Sequence, residues 1–217
     1  PNLLQYLTWP YVWLLYALLA LVMAGLVWRW VPNVRLQSHA DAPPLSQLLK
    51  QTLSHPAPWL LGILFASYTS QWFAITSFLP TIYAHTHIPA SQAGMLTALV
   101  CLSNVGGPIV AGMMLQQGRP AWVLLTAGFV LMMLGAVLTF AGEGFLPFSV
   151  RYCGVLLFSA CGGLIPGVVF AYVVYLAPSQ QTVASTMGWV QQWSALGQFS
   201  LPPLMGSLVM WWGSWRN

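Results

Sequence analysis

Apolar residues run along this chain in long unbroken blocks, and the polar positions fall mainly between them. The blocks are continuous, whereas the strands of a membrane barrel alternate over about ten residues. They therefore read as helices. A bilayer core about 30 Å thick needs roughly 20 apolar residues per helix. The segments 9–31, 57–83, 92–116, 121–141, 150–177 and 183–212 meet that length. The pattern predicts an all-α, polytopic membrane helix bundle with six transmembrane helices.

Between the first two segments lies the longest connection, 32–56. Its first part, "NVRLQSHADAPP", is a polar linker. Its second part, "PLSQLLKQTLSH", puts Leu45, Leu48, Leu49 and Leu53 on one helical face, with Lys50 and Gln51 elsewhere on the wheel. We expect a short amphipathic helix lying on the membrane surface.

Polar positions inside the segments change the picture from a purely structural bundle. At 1.5 Å per residue, Gln71, Asn104 and Gln198 fall at similar depth, near the midplane of their segments. Tyr68, Gln71 and Trp72 share a face, as do Thr97, Cys101 and Asn104. Gln191, Ser194, Ala195 and Gln198 follow the spacing i, i+3, i+4 and i+7. Polar groups in lipid turn toward protein or a watery cavity. One outcome is interhelical glue, worth only about 0.6 kcal/mol per bond on average. The other is a shared polar cavity, and that is the expectation here. Its candidate substrate-binding residues are Tyr68, Gln71, Trp72, Asn104, Gln191 and Gln198.

Small residues mark expected helix contacts: Ser103, Gly107 and Ala111 at a spacing of four, and Gly163 and Gly167 in a GxxxG. "GGP" at 106–108, Pro166 and "LPP" at 201–203 are expected helix interruptions.

Composition agrees with a membrane protein. Of 217 residues, 58% are hydrophobic and only 4% charged; a soluble domain carries about a quarter charged residues. Six basic and two acidic residues give a net charge of +4, too little charge for a nucleic-acid footprint. The basic residues are biased in position. Arg29, Arg35, Lys50 and Arg119 fall on one side of the membrane, Arg151 and Arg216 on the other. The positive-inside rule then puts the 32–56 connection in the cytoplasm. Pro1 opens the chain without a methionine or a signal-peptide n-region, and "WWGSWRN" closes it. Both ends read as cut, so a fragment is expected.

Other chemistry is weakly represented. No acidic or basic residue lies deep in a segment, so a proton relay has no carrier here. His85 and His87 form an H-x-H without evident further ligands, and no metal is expected. Cys101, Cys153 and Cys161 lie in apolar segments without zinc-ligand spacing and read as packing residues. G-x-S-x-G and P-loop patterns are absent. Enzymatic activity and a cofactor are therefore not expected. Tryptophans such as Trp28, Trp30, Trp59 and Trp122 sit near segment ends, as interfacial belts do.

The segments resemble the major facilitator superfamily over nearly the whole chain. "TWPYVWLLYALLALVMAGLVWRWVP" is similar to that family's sixth helix and the start of its central loop. "SHPAPWLLGILFASY" is similar to the start of the seventh. "AGMMLQQGRP" resembles the loop between helices eight and nine, with Gly112, Gly118 and Arg119 retained in kind. Gln116 and Gln117 stand where that motif usually carries an acidic–basic pair. "APSQQTVASTMGWVQQWSALGQFSLPPLMGSLVMWWGSWR" resembles the tenth loop and eleventh helix and is the most specific stretch.

The resemblance implies helices six to eleven of a twelve-helix carrier, with the N-terminal half and last helix of the same protein as partners. It implies a secondary active transporter of the inner (plasma) membrane that moves a small polar or anionic solute by alternating access. "SQWFAITSFLPTIY" resembles the branch that handles cyanate and nitroimidazole-like compounds; drug-efflux and sugar branches stay open. The alternative is a non-transporting receptor or assembly scaffold built on the same bundle.

Overall fold

A computed structural model describes residues 8–31, 43–86, 88–141 and 144–212. Among these residues the chain is helical and has no strand. Helix α1 spans Trp9–Trp30, and none of its residues is buried. Helix α2, Leu45–Ser54, is the short helix expected in the connection. Only His55 separates it from α3, Pro56–His85, whose first position is a proline. A proline there costs no hydrogen bond, because the first N–H groups of a helix have no intrahelical acceptor.

Helix α4 spans Ala90–Gln116. It ends in a Schellman motif: Gly118 N–H donates to the Leu115 carbonyl and Arg119 N–H to that of Met114. Gly118 has φ +81°, the left-handed conformation this motif needs. The chain turns at once into α5, Ala121–Ala136, which runs on as a π-helical turn over Val137–Ala141.

The segment expected as one helix over 150–177 is two. Helix α6 spans Phe148–Gly162 and α7 spans Leu164–Leu176. The break at Gly163 places Pro166 in the first turn of α7, where its missing N–H is not needed. The other expected interruptions do not break their helices. Pro108 lies inside α4, and Pro202 and Pro203 lie inside α8, Val183–Trp212. A 3₁₀ turn, Gln180–Thr182, leads into α8. It is closed by a capping box in which the Thr182 hydroxyl accepts from Ser179 N–H at 2.9 Å.

Helix α3 packs chiefly on α8, α5 on α6, and α4 crosses both α6 and α7. Each contact uses small residues. Gly107 of α4 touches the backbone of Gly163 at the α6–α7 break. A Cβ on Gly167 would stand 2.7 Å from Ala111 Cβ and 2.8 Å from Pro108 Cα. Gly135 and Gly154 bring α5 onto α6, and Gly62 receives the Trp193 ring between α3 and α8. The central cluster joins Phe65, Tyr68, Met132, Phe158, Ile165, Val169, Val173 and Val190.

The outer face of α4 is apolar: Met95, Leu99, Leu102, Val105, Ile109 and Met113 are all exposed. By length and composition, Trp9–Trp30, Ala90–Gln116, Ala121–Phe140 and Phe148–Leu176 suit a membrane crossing. Helices α3 and α8 are 30 residues each, about 45 Å long. They are long enough to span but fall outside that apolar set. These two helices carry five of the six candidate binding residues.

Candidate functional site

A polar junction ties α3, α4 and α6 together beside the α6–α7 break. Its hub is Ser159, which is fully buried. The Ser159 hydroxyl donates to the Val100 carbonyl at 2.6 Å and accepts from Trp72 Nε1 at 3.1 Å. Asn104 Nδ2 donates to the Ser159 carbonyl at 2.7 Å. The Tyr68 hydroxyl donates to Asn104 Oδ1 at 3.1 Å and lies 2.9 Å from Nδ2. Tyr68 is 4% exposed. Tyr68, Trp72 and Asn104 are thus brought together, and their polar atoms are matched to one another and to Ser159.

The remaining candidates are placed differently. Gln71, one residue from Trp72, is exposed, and its Nε2 donates to the Ser67 carbonyl one turn back in α3 at 2.8 Å. Gln191 is exposed on α8. Gln198 is half-buried and donates to the Ser194 hydroxyl of its own helix at 2.9 Å. The three midplane amides therefore do not bond to one another. Asn104 bonds across helices, as interhelical glue does, while Gln71 and Gln198 bond within their own helices.

Helix periodicity explains the division. Residues 68 and 72 lie about 40° apart on the wheel and face α4 and α6, whereas residue 71 lies about 60° from 68 and about 100° from 72, at the outer edge of the face the three share. The exposed side of α3 carries Ser67 and Gln71 beside Leu60 and Ile63, with Phe73 and Ser77 exposed further round the helix. That of α8 carries Gln191, Gln192 and Ser200 among Ala195, Leu196 and Phe199. Exposed polar side chains inside helices of membrane length contrast with the apolar outer face of α4. Serine and glutamine amid lipid would be costly, so such faces turn to water or to other protein.

A family model described as Major Facilitator Superfamily matches residues 1–202. The chain belongs to the major facilitator superfamily. No curated protein and no solved structure matches it. A major facilitator protein is a multi-pass membrane transporter, and the helices described here are its bundle. Within that bundle the loop "QQGRP" is a tight turn made by Gly118, independent of the charges that Gln116 and Gln117 lack.

Ser159 was not among the sequence candidates. It is a lone serine in the apolar run "LLFSACGG", and its buried position is the only feature that makes it a hub. Among the described residues no group of three His, Cys, Asp or Glu side chains could hold a metal. His87, the side chain of His85, and the residues Arg35, Asp41 and Arg216 lie outside the described residues.

Proposed function

We propose that this major facilitator protein is a secondary active transporter that moves a small polar or anionic solute by alternating access. The observation that carries the reading is that glutamine and serine side chains are exposed within two membrane-length helices, α3 and α8, beside Leu60, Ile63, Leu196 and Phe199. Gln71 and Gln191 supply uncharged hydrogen-bonding groups to the path, and Gln198 lies deeper along α8. Tyr68, Trp72 and Asn104 form the wall behind Gln71, with Trp72 presenting an amphipathic ring. Such a lining suits a weakly charged solute, because it offers no ion-pair partner. In this reading the 32–56 connection is cytoplasmic, the membrane is the inner (plasma) membrane, and the bundle rocks against the family's other half. The cyanate and nitroimidazole branch supplies the first solutes to try.

A second reading is favoured by one observation. Asn104 is closed into a set of interhelical bonds, which is what a non-transporting receptor or scaffold would show throughout.

The deciding experiment is uptake by the full-length protein in proteoliposomes, using radiolabelled cyanate and 2-nitroimidazole, with sugars and cationic dyes as further arms. The expected result is saturable uptake of a small polar solute that Gln71→Ala and Gln191→Ala weaken. Wild-type affinity and rate in both variants would remove the proposed site. Absence of uptake for every solute class would favour the scaffold.

A further inference from the structure

Helix α2 is held on one side and bare on the other. On the held side Thr52 is fully buried. Its hydroxyl donates to the Leu48 carbonyl at 3.0 Å and lies 2.7 Å from the Ser185 hydroxyl in the first turn of α8. The Trp59 indole N–H donates to the Leu53 carbonyl at 3.0 Å, fixing the end of α2 to α3.

On the bare side, Leu45, Leu49 and Leu53 are 68%, 41% and 40% exposed. At about 100° per residue the three fall within an arc of about 80°. Thr52 borders one edge of this ridge. Lys50 lies about 60° beyond Leu53, at the other edge.

What covers the ridge follows from its place and its charge. Only His55 stands between α2 and membrane-length α3, so α2 lies at the level where α3 leaves the bilayer. An amphipathic helix at that level sinks its apolar face into the boundary between headgroups and acyl chains. Helix α2 contains no acidic residue. By the positive-inside rule, Arg29 in the last turn of α1 and Arg119 in the α4–α5 turn add positive charge on that side. The complement of that surface is a leaflet of anionic lipid.

We propose that α2 is a lipid-seated latch. The leucine ridge lies in the cytoplasmic leaflet, Lys50 engages anionic headgroups, and Thr52 with Ser185 clasps the latch to the start of α8. Its consequence for rate rests on the transporter reading: if α8 lines the path, seating α2 restrains α8 and slows its movement. The seating itself does not depend on transport.

The test is hydrogen–deuterium exchange of the full-length protein in nanodiscs of phosphatidylcholine, with and without phosphatidylglycerol. Amides of 45–54 are expected to exchange about fivefold more slowly in the anionic discs, the weight of one lysine at a charged surface. Lys50→Glu and high salt should each remove that difference. Leu49→Ser should speed exchange in both discs. Thr52→Val, which keeps the volume and removes the hydroxyl, should speed exchange in 45–54 and in the first turn of α8 together. Exchange indifferent to lipid charge and to Lys50→Glu would overturn the lipid seat. A Thr52→Val effect confined to α2 would overturn the clasp. Lipid-dependent protection in a protein that takes up no solute would leave the latch standing and refute the transporter reading alone.

Discussion

Gly106 and Gly107 are neighbours in α4, and the structure gives them opposite roles. A Cβ on Gly106 meets nothing within 4 Å, whereas one on Gly107 would run into the backbone of Gly163 and stand 2.8 Å from Leu164 N. Replacing a helical glycine by alanine gains about 0.5–1 kcal/mol where there is room, because less backbone freedom is lost on folding. Gly106→Ala should therefore be neutral to slightly stabilising. Forcing extra volume into a packed contact costs about 1–3 kcal/mol. At Gly107 the opposing atoms are backbone and cannot rotate away, so the upper end applies. Net of the helix gain, Gly107→Ala should lose about 2 kcal/mol, close to 3 below its neighbour variant. The assay is unfolding of the full-length protein in mixed micelles by titrating a denaturing detergent, followed by circular dichroism. If the two variants unfold within about 0.5 kcal/mol of each other, below the gain expected from a helical Gly→Ala change alone, then α4 does not cross α6 and α7 at this point.

The same unfolding assay reads the polar junction. A double-mutant cycle of Trp72→Phe with Ser159→Ala should give a coupling of about 0.6 kcal/mol and no more than about 1.7; zero coupling would mean the indole does not bond to Ser159. Gly118→Ala should cost about 1–2 kcal/mol for the left-handed conformation, and Gly118→Asn should cost less. Equal melting temperatures for wild type and Gly118→Ala would show that the α4–α5 turn is not a Schellman motif. Ser179→Ala opens the capping box before α8 and should cost about 1 kcal/mol, which faster amide exchange confined to residues 180–186 would register.

Much of the bundle was legible because hydrophobic length is a strong signal. The ends of the segments starting at 9 and 183 fall within about a residue of helices α1 and α8. The small residues Gly107 and Ala111, and Gly163 and Gly167, mark the real crossing of α4 with α6 and α7. The helix interruptions were harder to place. Proline marks a lost N–H, yet it says nothing of whether neighbouring structure accommodates the loss. Pro108, with Gly106 and Gly107 directly ahead of it, stays inside a continuous helix, as do Pro202 and Pro203, whereas the "GGLIP" stretch breaks; glycines ahead of a proline do not tell the two apart. The site was legible in part. Sequence position fixes depth along a helix, and Gln71, Asn104 and Gln198 share a depth. It does not fix which way each helix is turned in the bundle. Asn104 points at Tyr68 and Ser159, while Gln71 points away from them.

The claim on which the transporter reading turns is that the exposed glutamines of α3 and α8 border water. Thiol labelling reads this directly in the full-length protein, in membrane vesicles, with Cys101, Cys153 and Cys161 replaced. Single cysteines would be placed at Gln71, Gln191, Asn104 and the apolar-face residue Leu102, which is 64% exposed. A membrane-impermeant thiol reagent should modify positions 71 and 191 quickly, position 104 slowly and position 102 not at all. Positions 71 and 191 as inert as 102 would contradict the account.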